Sequence, residues 1–258
     1  MLKKNLLTLL IASSSINLFS QTKIYFDILT HNEDSFAWST TGFYQNNRSY
    51  ILNLANYCNT NGISWNMQSD VTYLTSVLNP TNETPALMGL TGGKNILRYM
   101  HEDLGVEMDP HGHEVTYIYP DLVKLMDSIG LPESKIMGGS LYKEMNGMNV
   151  WTNLVNGQYG NIFPTFFWEP DYIMGGGTPM HVADLNYYGV WNPKDTANYL
   201  VHDTSSHLRH LGTGCEIKIH DTSSVSTIMA KVHELVNNVA DGTYPAKDRK
   251  STRLNSSH

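Results

Sequence analysis

Cysteine is nearly missing from this chain. There are two, Cys58 and Cys215, and no Cys-x-x-Cys pair, which excludes a zinc-thiolate module. A single disulfide between them and two buried thiols both remain open. Charge is sparse at 16%, and acidic residues outnumber basic ones 24 to 17, so the formal net charge is −7. Such a surface repels phosphate backbones, and nucleic acid is excluded as an expected partner. Long hydrophobic runs are absent too, since none reaches the ~20 apolar residues of a membrane-spanning helix. Internal repeats and long linkers are also missing. Aromatic side chains are not scarce, at 10% of the chain, and that composition argues against disorder.

The ends read differently from the body. Lys3 and Lys4 form a positive start, Leu6 to Ala12 a short apolar run, and Ser13 to Ser20 a small, polar stretch before Gln21. This three-part pattern predicts a signal peptide over 1–20 and hence export. The last residues, 248–258, read as the translation of an adapter oligonucleotide and are set aside from fold reasoning. Without Lys3, Lys4 and that basic tail the body is more acidic still. Residues 21–247 are then expected to form one domain.

Short apolar runs alternate with helix-like stretches along that body. Strands are predicted at Lys23–Thr30, Ile63–Met67, Gly105–Met108, Lys135–Met137, Asn161–Trp168, Tyr187–Val190 and Glu216–His220. Helices are predicted at Ser49–Thr60, Lys94–Leu104, Tyr119–Ile129 and Val225–Val239, each with apolar residues on one face. About seven strands separated by helices predict an α/β fold, a parallel sheet or barrel, with its site at the C-terminal strand ends.

Polar, chemistry-bearing residues recur at those ends. His31-Asn32-Glu33-Asp34 follows the first strand and Gln68-Ser69-Asp70 the second. Asp109-Pro110-His111-Gly112-His113-Glu114 follows the third, Glu169-Pro170-Asp171 the fifth, and His220-Asp221 ends the last. In extended chain, residues two apart point the same way, so His111 and His113 can address one ion. A nearby carboxylate, Glu33 or Asp34, completes a three-ligand open site of the kind that suits zinc. The alternatives are a polar loop at His111 and a helix cap at Asp34. Asp27, if it faces inward, is a rival base. His220 can return a proton to a leaving group, with Asp221 orienting it or capping the next helix. The Gly175–Gly177 stretch before His181 and Asp184 is read as a loop over the site. Aromatics gather at Phe166, Phe167, Trp168, Tyr172, Tyr187, Tyr188 and Trp191, some for core and some as flat faces for sugar rings.

These clusters resemble the motifs of the polysaccharide deacetylase (NodB-like) superfamily. Asn32-Glu33-Asp34 is similar to its first acidic motif. His111 falls where its first metal histidine does, although Val115 stands where the second is expected, so His113 or Glu114 would serve. Ile217-Lys218-Ile219-His220-Asp221 is similar to its last motif. The family's arginine and Asp-Trp motifs are not recognisable here. The resemblance implies an irregular (β/α)7-type barrel of parallel strands. It also implies a metal-dependent hydrolase that removes acyl groups from carbohydrate. A divalent metal, zinc first, would be held by His111, His113 and Glu33 or Asp34. The carboxylate not bound to metal would act as base, and His220 as acid. Two other classes stay open. One is a glycoside hydrolase using a carboxylate pair such as Glu33 and Glu169. The other is a non-catalytic carbohydrate-binding or surface protein.

Overall fold

A computed structural model describes residues 28–33, 36–112, 116–138, 150–174, 190–212 and 224–243. Strands β1 (Ile28–Asn32), β2 (Trp65–Ser69) and β3 (Glu107–Pro110) form a three-stranded parallel sheet in that order. A 3-10 turn (Phe36–Ser39) and helix α1 (Thr41–Asn61) connect β1 to β2. Helices α2 (Val71–Leu78), α3 (Pro85–Gly89) and α4 (Ile96–Leu104) connect β2 to β3. Parallel neighbours need such long crossovers, and both connections are long enough to hold helices.

β2 is buried on both faces. Trp65 and Met67 point into an apolar core with Met108, Leu74, Leu97 and Met100. The alternate residues, Asn66 and Gln68, belong to the other face, as the pleat dictates. That second face is polar and still covered: Asn66, Gln68, Asp109 and His111 are all buried. Buried polar groups need partners, so this face is where hydrogen bonds decide the structure. A buried brace joins α1 to the segments flanking α3. Arg48 donates to Glu83 (Nε to Oε1, 2.9 Å) and to Thr91 Oγ1 (3.1 Å), and Tyr44 donates to Glu83 at 2.8 Å.

Helix α5 (Tyr119–Ile129) carries the chain to β4 (Ile136–Met137). With β7 (Tyr172–Met174), β8 (Val190–Trp191) and β9 (Arg209–Leu211), β4 builds a second sheet, ordered β4-β7-β9-β8. β4, β7 and β9 are parallel, and β8 is antiparallel to β9. Helix α6 (Val150–Asn156) precedes an antiparallel pair, β5 (Gln158–Tyr159) and β6 (Phe167–Trp168). Helix α7 (Val225–Ala240) is the last described element. A second core gathers Val123, Met137, Leu154, Trp168, Ile173 and Trp191. The two larger sheets meet at one parallel bridge, His111 with Gly138.

The expected (β/α)7-type barrel of parallel strands is not formed. The described strands fall into sheets of three, four and two, and two of those sheets contain antiparallel pairs. The physical reasons are local. The 160–166 connection is shorter than the dozen or so residues that a parallel crossover takes, so β5 and β6 pair antiparallel. The expected strand over Asn161–Trp168 shrinks to its last two residues. The backbone N–H groups of Asn161, Ile162 and Phe163 are bound by the Asp121 carboxylate, and Pro164 has none to give. The expected strand Glu216–His220 lies outside the described residues, as do the signal segment 1–20, Asp27 and the tail 248–258.

Candidate metal centre

Three donors converge where β1 and β3 end. His31 is the fourth residue of β1 and Glu33 follows two positions later. His111 continues β3 by one residue, fixed by its own N–H to Ser69 O (2.9 Å) and by the bridge to Gly138. His31 Nδ1 lies 3.4 Å from Glu33 Oε1, and His111 Nε2 lies 2.7 Å from Glu33 Oε2. The two imidazoles lie with centroids 4.1 Å apart and planes inclined at 38°. One ligand atom from each of His31, Glu33 and His111 falls within 4.8 Å of the others, so the cluster could hold a metal ion.

The dimensions agree with that use. Zn–N and Zn–O bonds of 2.0–2.1 Å in tetrahedral geometry put neighbouring donors ~3.4 Å apart. The His31–Glu33 separation of 3.4 Å already matches. The His111–Glu33 contact, at 2.7 Å, would open by roughly 0.7 Å to admit an ion. His111 is fully buried, while the side chains of His31 and Glu33 are 32% and 28% exposed. The floor of the cluster is therefore fixed and its outer side meets solvent, as an open coordination site requires.

His111 is faced by oxygen on both ring nitrogens. Nδ1 lies 3.2 Å from Gln68 Oε1, and Nε2 faces Glu33. A neutral imidazole has one N–H, so it can donate to one of these oxygens only. When Nδ1 donates to Gln68, the Nε2 lone pair faces the carboxylate, and a cation fits between them. Two imidazoles and one carboxylate are a donor set that accepts a transition metal.

Asp109 lies two residues before His111 but belongs to a different network. It accepts from Asn66 Nδ2 and Ser134 Oγ, both at 2.5 Å. Burial pushes its carboxyl above the usual range, and these two hydrogen bonds pull the other way. Gly112 follows His111, and a Cβ there would meet Leu122 Cδ1 at 2.8 Å, so α5 walls the site closely.

Of the residues expected from sequence, Glu33 and His111 are brought together and joined by His31. The sequence marks His31 only as part of the His31–Asp34 cluster. Asp34, His113, Glu114, His220, Asp221, His181, Asp184 and Gly175–Gly177 lie outside the described residues. Glu169 has another partner, His207, at 3.1 Å. Cys58 is a free, buried thiol among the described residues, and Cys215 lies outside them. Among the aromatics, Trp168 and Trp191 are core, while Phe167 and Tyr159 are exposed and pack edge to face at 5.2 Å. A polar crevice of about 450 Å³, lined by Asp171, Tyr172, Asn192 and Arg209 among others, shares no residue with the cluster. It lies at the starting ends of β7 and β9, whereas the cluster lies at the finishing ends of β1 and β3. The convergence of donors identifies the site better than the size of the crevice does.

No family model, curated protein or solved structure matches the chain.

Proposed function

We propose that this protein is an exported, metal-dependent hydrolase that removes acyl groups from carbohydrate, with zinc as its ion. The observation that carries the reading is the meeting of His31, Glu33 and His111 at the C-terminal ends of two neighbouring parallel strands. The motif resemblance to polysaccharide deacetylases supports the reaction class, since the first acidic motif and the metal histidine of that resemblance are two of the three donors. The signal-like pattern over 1–20 supports export.

His31, His111 and Glu33 would hold the ion, with the buried His111 as the fixed point. Bound there, zinc supplies Lewis acidity toward an acyl carbonyl and lowers the pKa of a water. Asp34, next to Glu33 in sequence, is assigned the proton from that water. His220 is assigned its return to the amine that leaves. The amide C–N bond breaks, water supplies a hydroxyl to the acyl carbon, and the amine gains the proton.

The test is zinc content of the full chain after dialysis against zinc, with the His111→Ala chain beside it, followed by acetate release from N-acetylated oligosaccharides. About one ion per chain, lost in the variant together with acetate release, is the expected outcome. Wild-type chain that holds no zinc ends the metal reading. Zinc without acetate release ends the deacylase reading and leaves a metal site of other purpose.

A further inference from the structure

The cluster stands on a second layer. Gln68 sits on β2 as the register partner of His31 on one side and Asp109 on the other. It is only 1% exposed, and its Oε1 lies 3.2 Å from His111 Nδ1. Its Nε2 faces Met174 Sδ at 3.9 Å, a weak acceptor that leaves Oε1 directed at the imidazole.

Gly138 completes the arrangement from the other sheet. Its N–H donates to Pro110 O at 3.0 Å, and it bridges His111. A Cβ at Gly138 would lie 1.9 Å from Gln68 Oε1 and 2.2 Å from Cδ. No side chain fits there while the amide stays in place. The carboxamide therefore fills the space that Gly138 leaves, with its Oε1 at Nδ1 of the ring. Burying an amide costs free energy unless it is hydrogen-bonded, and an apolar side chain would fill the same volume without that cost.

We infer that Gln68 is the positioning residue of this metal cluster: its Oε1 takes the Nδ1 proton of His111 in a hydrogen bond and so presents Nε2 to the ion, with Gly138 as the gap that admits it. A ligating histidine is oriented through the nitrogen that does not bind the metal, and losing that partner typically costs 10–100-fold in affinity. The inference rests on the metal reading above.

Three variants of the full chain separate the outcomes. Gln68→Leu removes the acceptor, Gln68→Glu keeps one, and Gly138→Ala displaces the amide without touching a ligand. Zinc affinity is read by competition with a chromophoric chelator, and folding by circular dichroism and Tm. Long-range ¹H–¹⁵N spectra of zinc-loaded, histidine-labelled wild type read which His111 nitrogen carries the proton. We expect the proton on Nδ1 and zinc affinity lowered about 10–100-fold in Gln68→Leu and Gly138→Ala, with Gln68→Glu within a few-fold of wild type. Wild-type affinity in a folded Gln68→Leu chain overturns the inference. So does a zinc-loaded spectrum with the proton on Nε2, a reading that needs no stable variant. Wild type that takes up no zinc ends the metal reading, whereas zinc uptake with either of those two results ends the inference alone.

Discussion

Asp121→Asn tests how the fold holds this site. The substitution exchanges one oxygen for an amide group and leaves the volume almost unchanged. Asp121 is fully buried, while three of the four N–H groups it accepts from are only partly buried. Its Oδ1 accepts from the N–H groups of Ile162 (3.0 Å) and Phe163 (2.9 Å). Its Oδ2 accepts from those of Ile118 and Asn161, both at 3.0 Å. Whichever way the asparagine amide turns, its NH2 group meets two backbone donors. Two bonds go unmade and at least one unmatched N–H group is only partly buried, so the cost lies toward the low end of ~1–3 kcal/mol each, about 2–3 kcal/mol together. For a domain of this size that lowers Tm by roughly 4–12 °C. Urea unfolding followed by tryptophan fluorescence should show a lower midpoint at an unchanged m-value. The effect reaches the metal centre through α5, because Tyr119 and Leu122 pack where a Cβ on Gly112 would be, one residue from His111. A loss under ~1 kcal/mol would refute the reasoning, since it would mean that the four donors do not depend on a charged acceptor.

Two further predictions concern other parts of the molecule. Glu83→Ala leaves Arg48, 4% exposed, without its carboxylate, and should cost about 3–5 kcal/mol by urea denaturation. The Arg48→Met, Glu83→Leu double variant should regain most of that, and a single variant within ~1 kcal/mol of wild type would show that solvent reaches the pair. Cys58 is buried and burial pushes its thiol above the usual range. Native protein at neutral pH should therefore leave Cys58 unlabelled by a maleimide until denaturant is added, as read by peptide mass mapping. Immediate labelling would contradict its burial.

Helices were more legible than strands, for a physical reason. The helix over Tyr119–Ile129 is found with the bounds its periodicity predicts, and Val225–Ala240 differs by one residue. Each carries an apolar face that repeats over several turns, which is a local signal. Helix α1 begins eight residues earlier than predicted, at Thr41, because its first turns are polar and show little periodicity. The strands of the second sheet are only two or three residues long. Such runs have no detectable alternation, and β5, β7 and β9 were not predicted at all. Their direction is set by what lies between them and by non-local partners. The capture of the 161–163 N–H groups by Asp121, forty or so positions away in sequence, is one such partner. No window of sequence contains both ends of that interaction, so the parallel barrel was a reasonable extrapolation from the first half that the second half does not follow.

The site was legible in part through one geometric rule. Residues two apart in extended chain share a face, and that rule pairs His111 with His113, with a nearby carboxylate, Glu33 or Asp34, as the third donor. In the described structure the pair two apart is His31 with Glu33, and His111 is the third donor. Both sets contain His111, and with Glu33 as the carboxylate they differ only in the second histidine. With His31 as a ligand, His31→Ala should cost zinc affinity on the scale of His111→Ala. The ring is 32% exposed, so its removal should leave Tm of the zinc-free protein within a few degrees of wild type. Chelator competition on the two variants and on His113→Ala reads the ligand set directly. Full affinity in His31→Ala together with its loss in His113→Ala would return the site to the pairing read from sequence. The reverse result would show that β1 and the residue just past it supply two donors and that the continuation of β3 supplies only the buried anchor.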